Sequence, residues 1–121
     1  MEGYPRYKVG GVYRHFKQLE GKSNYRIIGL AEKLNVDEKD LETSRVIRED
    51  TREEINLYKD KDKYYYKEDT MNGTYVVYRA LYGNELVYLR HIDIFFSEVN
   101  ESQFKQYGQR NRFEEIDKIE K

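Results

Sequence analysis

The chain has 121 residues, room for one domain, and its 22 Lys and Arg nearly cancel 23 Asp and Glu, so no global field marks a polyanion binder or a membrane-surface protein. Leu, Ile, Val and Phe make about 24% of the residues, above the level of a disordered sequence. The absence of cysteine excludes disulfides, zinc thiolates and cysteine nucleophiles, and with short apolar runs and no signal peptide at Met1-Glu2-Gly3-Tyr4 a cytoplasmic protein with no membrane span is expected.

Charge divides the sequence into three blocks. Residues 1–31 carry six basic and two acidic side chains, a net of +4; residues 32–73 carry nine and thirteen, a net of −4; residues 74–121 carry seven and eight, a net of −1. The middle block scatters Val36, Leu41, Val46, Ile47, Ile55 and Leu57 among charges, so it reads as an insertion at about 32–73, resting on a core made by its flanks.

In chain order, residues 12–16 read as an opening strand and residues 25–31 as a second, entered through the turn Gly21-Lys22-Ser23-Asn24. Within the insertion, residues 53–59 and 63–67 suggest a hairpin across Asp60-Lys61-Asp62, with a helix over about 37–58 as the rival and a helical turn after Asn35 or Asp37 as the compromise. Residues 74–82, entered through Asn72-Gly73, are apolar on both faces and read as the central strand. Gly83-Asn84 then suits a type II′ turn into residues 86–90. Residues 92–96 fit a helical turn or a strand, and Phe104, Tyr107, Phe113, Ile116 and Ile119 can lay one apolar edge on the barrel.

These strands carry a resemblance. Gly11-Val12-Tyr13-Arg14-His15-Phe16-Lys17, Tyr25-Arg26-Ile27-Ile28-Gly29-Leu30-Ala31, Val76-Val77-Tyr78-Arg79-Ala80-Leu81-Tyr82-Gly83 and Leu89-Arg90 before Phe95 and Glu98-Val99 together resemble the small bacterial family called Domain of Unknown Function 1653. The resemblance covers roughly residues 9–99 less the insertion, implies an SH3-type β-barrel, and implies no established activity. This chain departs from the family at Gln18 and at Arg90-His91, where the family has Gly and Arg-Pro. The family's polar turn has two candidate counterparts, Arg48-Glu49-Asp50-Thr51 and Lys67-Glu68-Asp69-Thr70, and both lack its histidine. The expected fold is therefore all-β: one small SH3-like barrel domain over 1–121 with the charged insertion, compatible with one short helix in the insertion or at the C-terminus.

Chemistry is sparse. Two histidines far apart, four serines without a nucleophile motif and no phosphate loop leave no catalytic residue, metal site or cofactor to assign. On a strand, Tyr13, His15 and Lys17 share a face, offering a ring and hydrogen-bond donors to an anionic or planar ligand; the alternative is that His15 bonds a carbonyl and pins a barrel corner. Arg79 interrupts an apolar face and, if buried, needs a partner such as Glu85, Asp93 or Glu98. Tyr64, Tyr65 and Tyr66, one of them expected to be exposed, stand among Lys59, Lys61, Lys63 and Lys67, a weak nucleic-acid signal diluted by acids. The expected function is a non-catalytic binding module for a protein, peptide or nucleic acid, with Tyr13, His15, Lys17, Tyr82, Arg90 and His91 as its ligand-binding patch. The alternative is a small enzyme acting on a nucleotide or phosphorylated ligand with His15 or His91 as acid–base group.

Overall fold

A segment that is apolar on both faces must be covered on both, and residues 75–80 set the architecture for that reason. The computed structural model describes residues 4, 6–17, 24–34 and 41–116. In chain order it contains β1 (Val12–His15), β2 (Asn24–Lys33), β3 (Glu42–Arg48), β4 (Glu53–Asp60), β5 (Lys63–Tyr66), β6 (Tyr75–Ala80), β7 (Val87–His91), α1 (Ile92–Phe95), α2 (Glu101–Tyr107) and β8 (Phe113–Glu115). All eight strands form one sheet in the order β5-β4-β3-β7-β6-β2-β1-β8, and an additional β5–β2 pairing closes six of them into a barrel. The mainly β fold read from the sequence is what the chain adopts.

Two closures are parallel and therefore join segments distant in sequence. Ala31, Glu32 and Lys33 of β2 pair with Tyr64, Tyr65 and Tyr66 of β5, and Ile47 and Arg48 of β3 pair with Tyr88 and Leu89 of β7. Gly29 permits the first closure: a β-carbon there would lie 3.0 Å from the Tyr64 ring, and the β2–β6 register shifts at that point.

β6 separates two cores. Tyr75 and Val77 face one cluster with Ala31, Val46, Ile55, Leu57, Tyr66, Met71 and Leu89. Val76 and Tyr78 face the other, with Tyr13, Ile27, Ile92, Phe95, Phe96 and Phe113. The second cluster is aromatic and lies under α1 and β8; Phe95 stacks on Phe113 with centroids 4.1 Å apart.

The middle block differs from its reading as an insertion resting on a finished core. β3, β4 and β5 are wall strands, and Val46, Ile55, Leu57 and Tyr66 fill the first cluster. The expected hairpin across residues 60–62 is present, with Asp60 opposite Lys63, and the rival helix is absent from the described part of that segment. The expected helical turn after Asn35 or Asp37 lies outside the described residues, as do Gly21, Lys22, Ser23, Gln18 and Ile119. Residues 92–95 are helical, and the C-terminal edge is α2 followed by β8, so the described residues hold two short helices. A reciprocal capping box starts α2, in which the Asn100 side chain accepts from the Gln103 N–H at 2.8 Å.

Arg79 is exposed and stands opposite Arg26, beyond the last core residue of its face, so it needs no buried partner. The β6–β7 connection is also longer than a two-residue turn: Ala80 N–H bonds the Leu86 carbonyl at 2.9 Å, and both Gly83 and Glu85 have positive φ. The Asn72-Gly73 turn is tighter. Gly73 has φ +85°, and a β-carbon there would lie 2.9 Å from His91 Nε2. Gly73→Ala should therefore cost about 1–3 kcal/mol through left-handed strain and displacement of that imidazole, measurable as a lower urea midpoint at unchanged slope.

Candidate functional site

Outward-facing side chains of β7 and β6 meet the edge of the aromatic core and leave a cleft of about 220 Å³. Its lining draws on five strands and two turns: His15 at the end of β1 with Lys17 just beyond it, Tyr25 on β2, Tyr78 on β6, Tyr88 and Arg90 on β7, Phe113 on β8, Glu49 and Arg52 in the β3–β4 turn, and Tyr82 after β6. Alternation explains the β7 contribution. Val87 and Leu89 turn toward the barrel core, so Tyr88 and Arg90 point the other way.

Tyrosines build one wall. Tyr25 and Tyr82 share a hydroxyl–hydroxyl hydrogen bond of 2.7 Å, and Tyr78 stacks on Tyr88 at 5.6 Å. Burial, and then the bond to Tyr82, push the Tyr25 hydroxyl well above the ordinary tyrosine range, so it stays protonated and can donate.

Three cations, Lys17, Arg52 and Arg90, and one carboxylate, Glu49, line the cleft. Arg90 donates from Nη2 to Glu49 Oε2 at 2.9 Å and from Nε to the Tyr78 hydroxyl at 3.1 Å, with its guanidinium 5.5 Å from the Phe113 ring centre. Arg52 donates to Glu49 Oε1 at 2.8 Å. Arg52 is a non-glycine residue at φ +64°, a backbone conformation that costs about 1–2 kcal/mol for a side chain with a β-carbon.

His15 lies against Phe16 and Phe113, with ring centres 4.6 and 5.0 Å away, and its Nδ1 accepts the Lys17 N–H at 3.3 Å. The bond is to an N–H rather than a carbonyl, which places the proton of the neutral ring on Nε2. Burial, with Arg90, Arg112 and Lys17 adding to it, lowers its pKa from 6.5 to about 4. The unfolded chain therefore takes up a proton as pH falls below 6.5 while the folded chain resists until about 4, so stability conferred above pH 6.5 is lost across that window. After allowance for solvent screening of this partly exposed ring, the loss should be about 1–2 kcal/mol. His15→Gln should flatten the stability slope between those pH values; an identical slope in both proteins contradicts the assignment.

Of the six residues expected in a patch, His15, Lys17, Tyr82 and Arg90 line this cleft. Tyr13 does not. It shares the outer face with His15, but α1 covers it there: the ring is fully buried edge-on to Phe95 and Phe96, and its hydroxyl donates to the Arg6 carbonyl. His91 is also elsewhere, at the N-cap of α1, where Nδ1 accepts the Asp93 N–H at 3.1 Å and the ring meets Tyr75 edge-on. Tyr25, Tyr78 and Tyr88 join the cleft from the edge of the aromatic core, and Glu49 and Arg52 join it from the β3–β4 turn; none of the five belonged to the expected patch. The one available signal for Glu49 and Arg52 was the polar turn containing Glu49.

A larger hollow of about 550 Å³ lies beside β2 and β5, lined by Tyr7, Val9, Ile28, Leu30 and Tyr64 among others. Lys59 sits 5.7 Å from the Tyr64 ring centre, and across the same hairpin Lys67 sits 4.6 Å from that of Tyr58. Tyr66 is buried while Tyr64 and Tyr65 are half-buried, so none of the three is the exposed ring expected of the tyrosine run. Among the described residues no group of three or more His, Asp or Glu is placed to hold a metal ion, and no helix is long and apolar enough to cross a membrane.

Residues 63–115 match the family described as "Protein of unknown function (DUF1653)", which supports the resemblance read from the sequence. The match contains the central-strand motif, the Leu89-Arg90 segment and the Lys67-Glu68-Asp69-Thr70 turn, and begins after the first two motifs. No curated protein and no solved structure matches the chain.

Proposed function

Taking residues 63–115 as DUF1653 sequence, a family of unknown function, we propose that the protein is a non-catalytic binding module whose cleft receives one acidic or aromatic side chain of a partner peptide. The observation that carries this reading is the facing of Lys17, Arg52 and Arg90 against a tyrosine wall, because rigid aromatic area gives contact at low entropic cost while the cations select charge. The nucleic-acid reading is weaker, since the lysines and tyrosines that would neutralise phosphates and stack bases lie over one another in the β4–β5 hairpin. The enzyme reading rests on His15, as His91 is occupied in capping α1. An imidazole neutral down to pH about 4 is a weak base at neutral pH, and both oxygens of Glu49 are engaged by guanidinium groups.

Selection of a random peptide phage library tests the module. Peptides enriched on the wild-type protein should carry an acidic residue beside an aromatic one and should lose binding to a folded Lys17→Glu/Arg52→Glu variant. Enrichment that survives in that variant, or basic consensus peptides, would refute the role given to the cleft.

A further inference from the structure

Resting on that reading of the cleft, we propose that the group it binds is a single planar ring bearing an oxyanion, and that this oxyanion takes the seat that Glu49 holds between Arg52 and Arg90. Glu49 is a built-in occupant. Its two oxygens are held between the two guanidinium groups, Oε1 by Arg52 at 2.8 Å and Oε2 by Arg90 at 2.9 Å with a longer 3.4 Å contact from Arg52, the way an external carboxylate or phosphate would be held.

The seat survives the exchange. Arg90 is only 15% exposed and is also fixed by the Tyr78 hydroxyl and the Phe113 ring, so it stays aimed at the cleft when Glu49 leaves. Arg52 is 71% exposed and can follow an incoming anion. Glu49 itself is 22% exposed, with a path to water. Replacing one anion by another leaves neither arginine uncompensated, which avoids the main cost of opening a partly buried ion pair.

Size and lining select the rest of the ligand. A volume of about 220 Å³ is below the roughly 300 Å³ at which drug-sized pockets begin, enough for one ring and its anionic substituent. Tyr82 and Tyr88 are half-buried and flank that space. With Glu49 displaced, Lys17, Arg52 and Arg90 face the ligand together, which favours a phosphate monoester over a carboxylate.

Amide NMR titrations of the wild-type protein, Glu49→Gln and Arg52→Gln with phenyl phosphate, benzoate and inorganic phosphate test this. Phenyl phosphate should shift the Tyr82, Tyr88 and Arg90 amides, bind Glu49→Gln about tenfold tighter than wild type, and bind Arg52→Gln more weakly. Benzoate should follow with lower affinity, and inorganic phosphate should be weaker than phenyl phosphate. Equal phenyl phosphate affinity in wild type and Glu49→Gln, with shifts at the cleft, overturns the seat while the cleft reading stands. Inorganic phosphate binding as tightly as phenyl phosphate overturns the ring. No shift at the cleft with any probe overturns the whole ligand assignment, and the peptide selection then judges the cleft separately. Should Glu49→Gln fail to fold, Arg52→Gln decides, because unchanged affinity there contradicts the proposal. A phosphotyrosine peptide binding tighter than phenyl phosphate assigns the ring to a protein partner; a peptide that binds no tighter assigns it to a free small molecule and contradicts the peptide reading.

Discussion

Tyr66→Ala is expected to destabilise the protein by about 3–5 kcal/mol, the range for truncating a large buried aromatic side chain. The ring is fully buried, lies edge-on to Tyr75 at 5.2 Å, and donates its hydroxyl to the Gly73 carbonyl at 2.7 Å. Tyr66 also pairs with Lys33 at the end of the parallel β2–β5 closure, so its loss opens a cavity where the barrel is sealed. The melting temperature should fall by about 10–20 °C. Tyr66→Phe removes only the hydrogen bond and should cost about 1 kcal/mol. A loss below about 1 kcal/mol for the alanine variant would mean that the middle block lies on the barrel instead of forming it.

Arg90→Met should cost about 2–4 kcal/mol, although methionine keeps much of the side-chain volume. The substitution leaves the buried Tyr78 hydroxyl without its partner and Glu49 with only the exposed Arg52. A double-mutant cycle with Glu49→Gln isolates the pair, and a coupling of about 1–3 kcal/mol is expected in water at low salt. Additive losses would show that Arg90 contributes through Tyr78 and Phe113 alone. The same variant should lose the anion response of the cleft, because Arg90 is the cation that the Tyr78 hydroxyl and the Phe113 ring hold in place there.

The sequence made the β6–β7 pair legible, since Tyr75–Ala80 is apolar on both faces and only a strand covered twice tolerates that. It did not make the cover legible. α1 and β8 lie over the outer face from positions far along the chain, and for that reason Tyr13, correctly placed on one face with His15, is buried rather than exposed. The middle block was misread because a wall strand buries only alternate residues. Val46 and Arg48 on β3, and Ile55 and Leu57 on β4, point inward while Arg45, Glu54 and Asn56 face away, so a charged composition concealed a core pattern of period two. The parallel pairings that bring β3 to β7 and β5 to β2 leave no local turn signal to read. The charged end of the cleft depends on the β3–β7 pairing, because Glu49, with Arg52 bonded to it, reaches Arg90 only when β3 is docked on β7.

Native-state hydrogen exchange tests that dependence most directly. If the middle block is barrel wall, the hydrogen-bonded amides of Val46, Ile55 and Leu57 exchange with the same opening free energy as those of Val77 and Leu89, near the global value. Exchange of the β3–β4 amides at a free energy several kcal/mol below that of β6 and β7 would contradict the account, since the seat between Arg52 and Arg90 would then open independently of the barrel that is said to hold it.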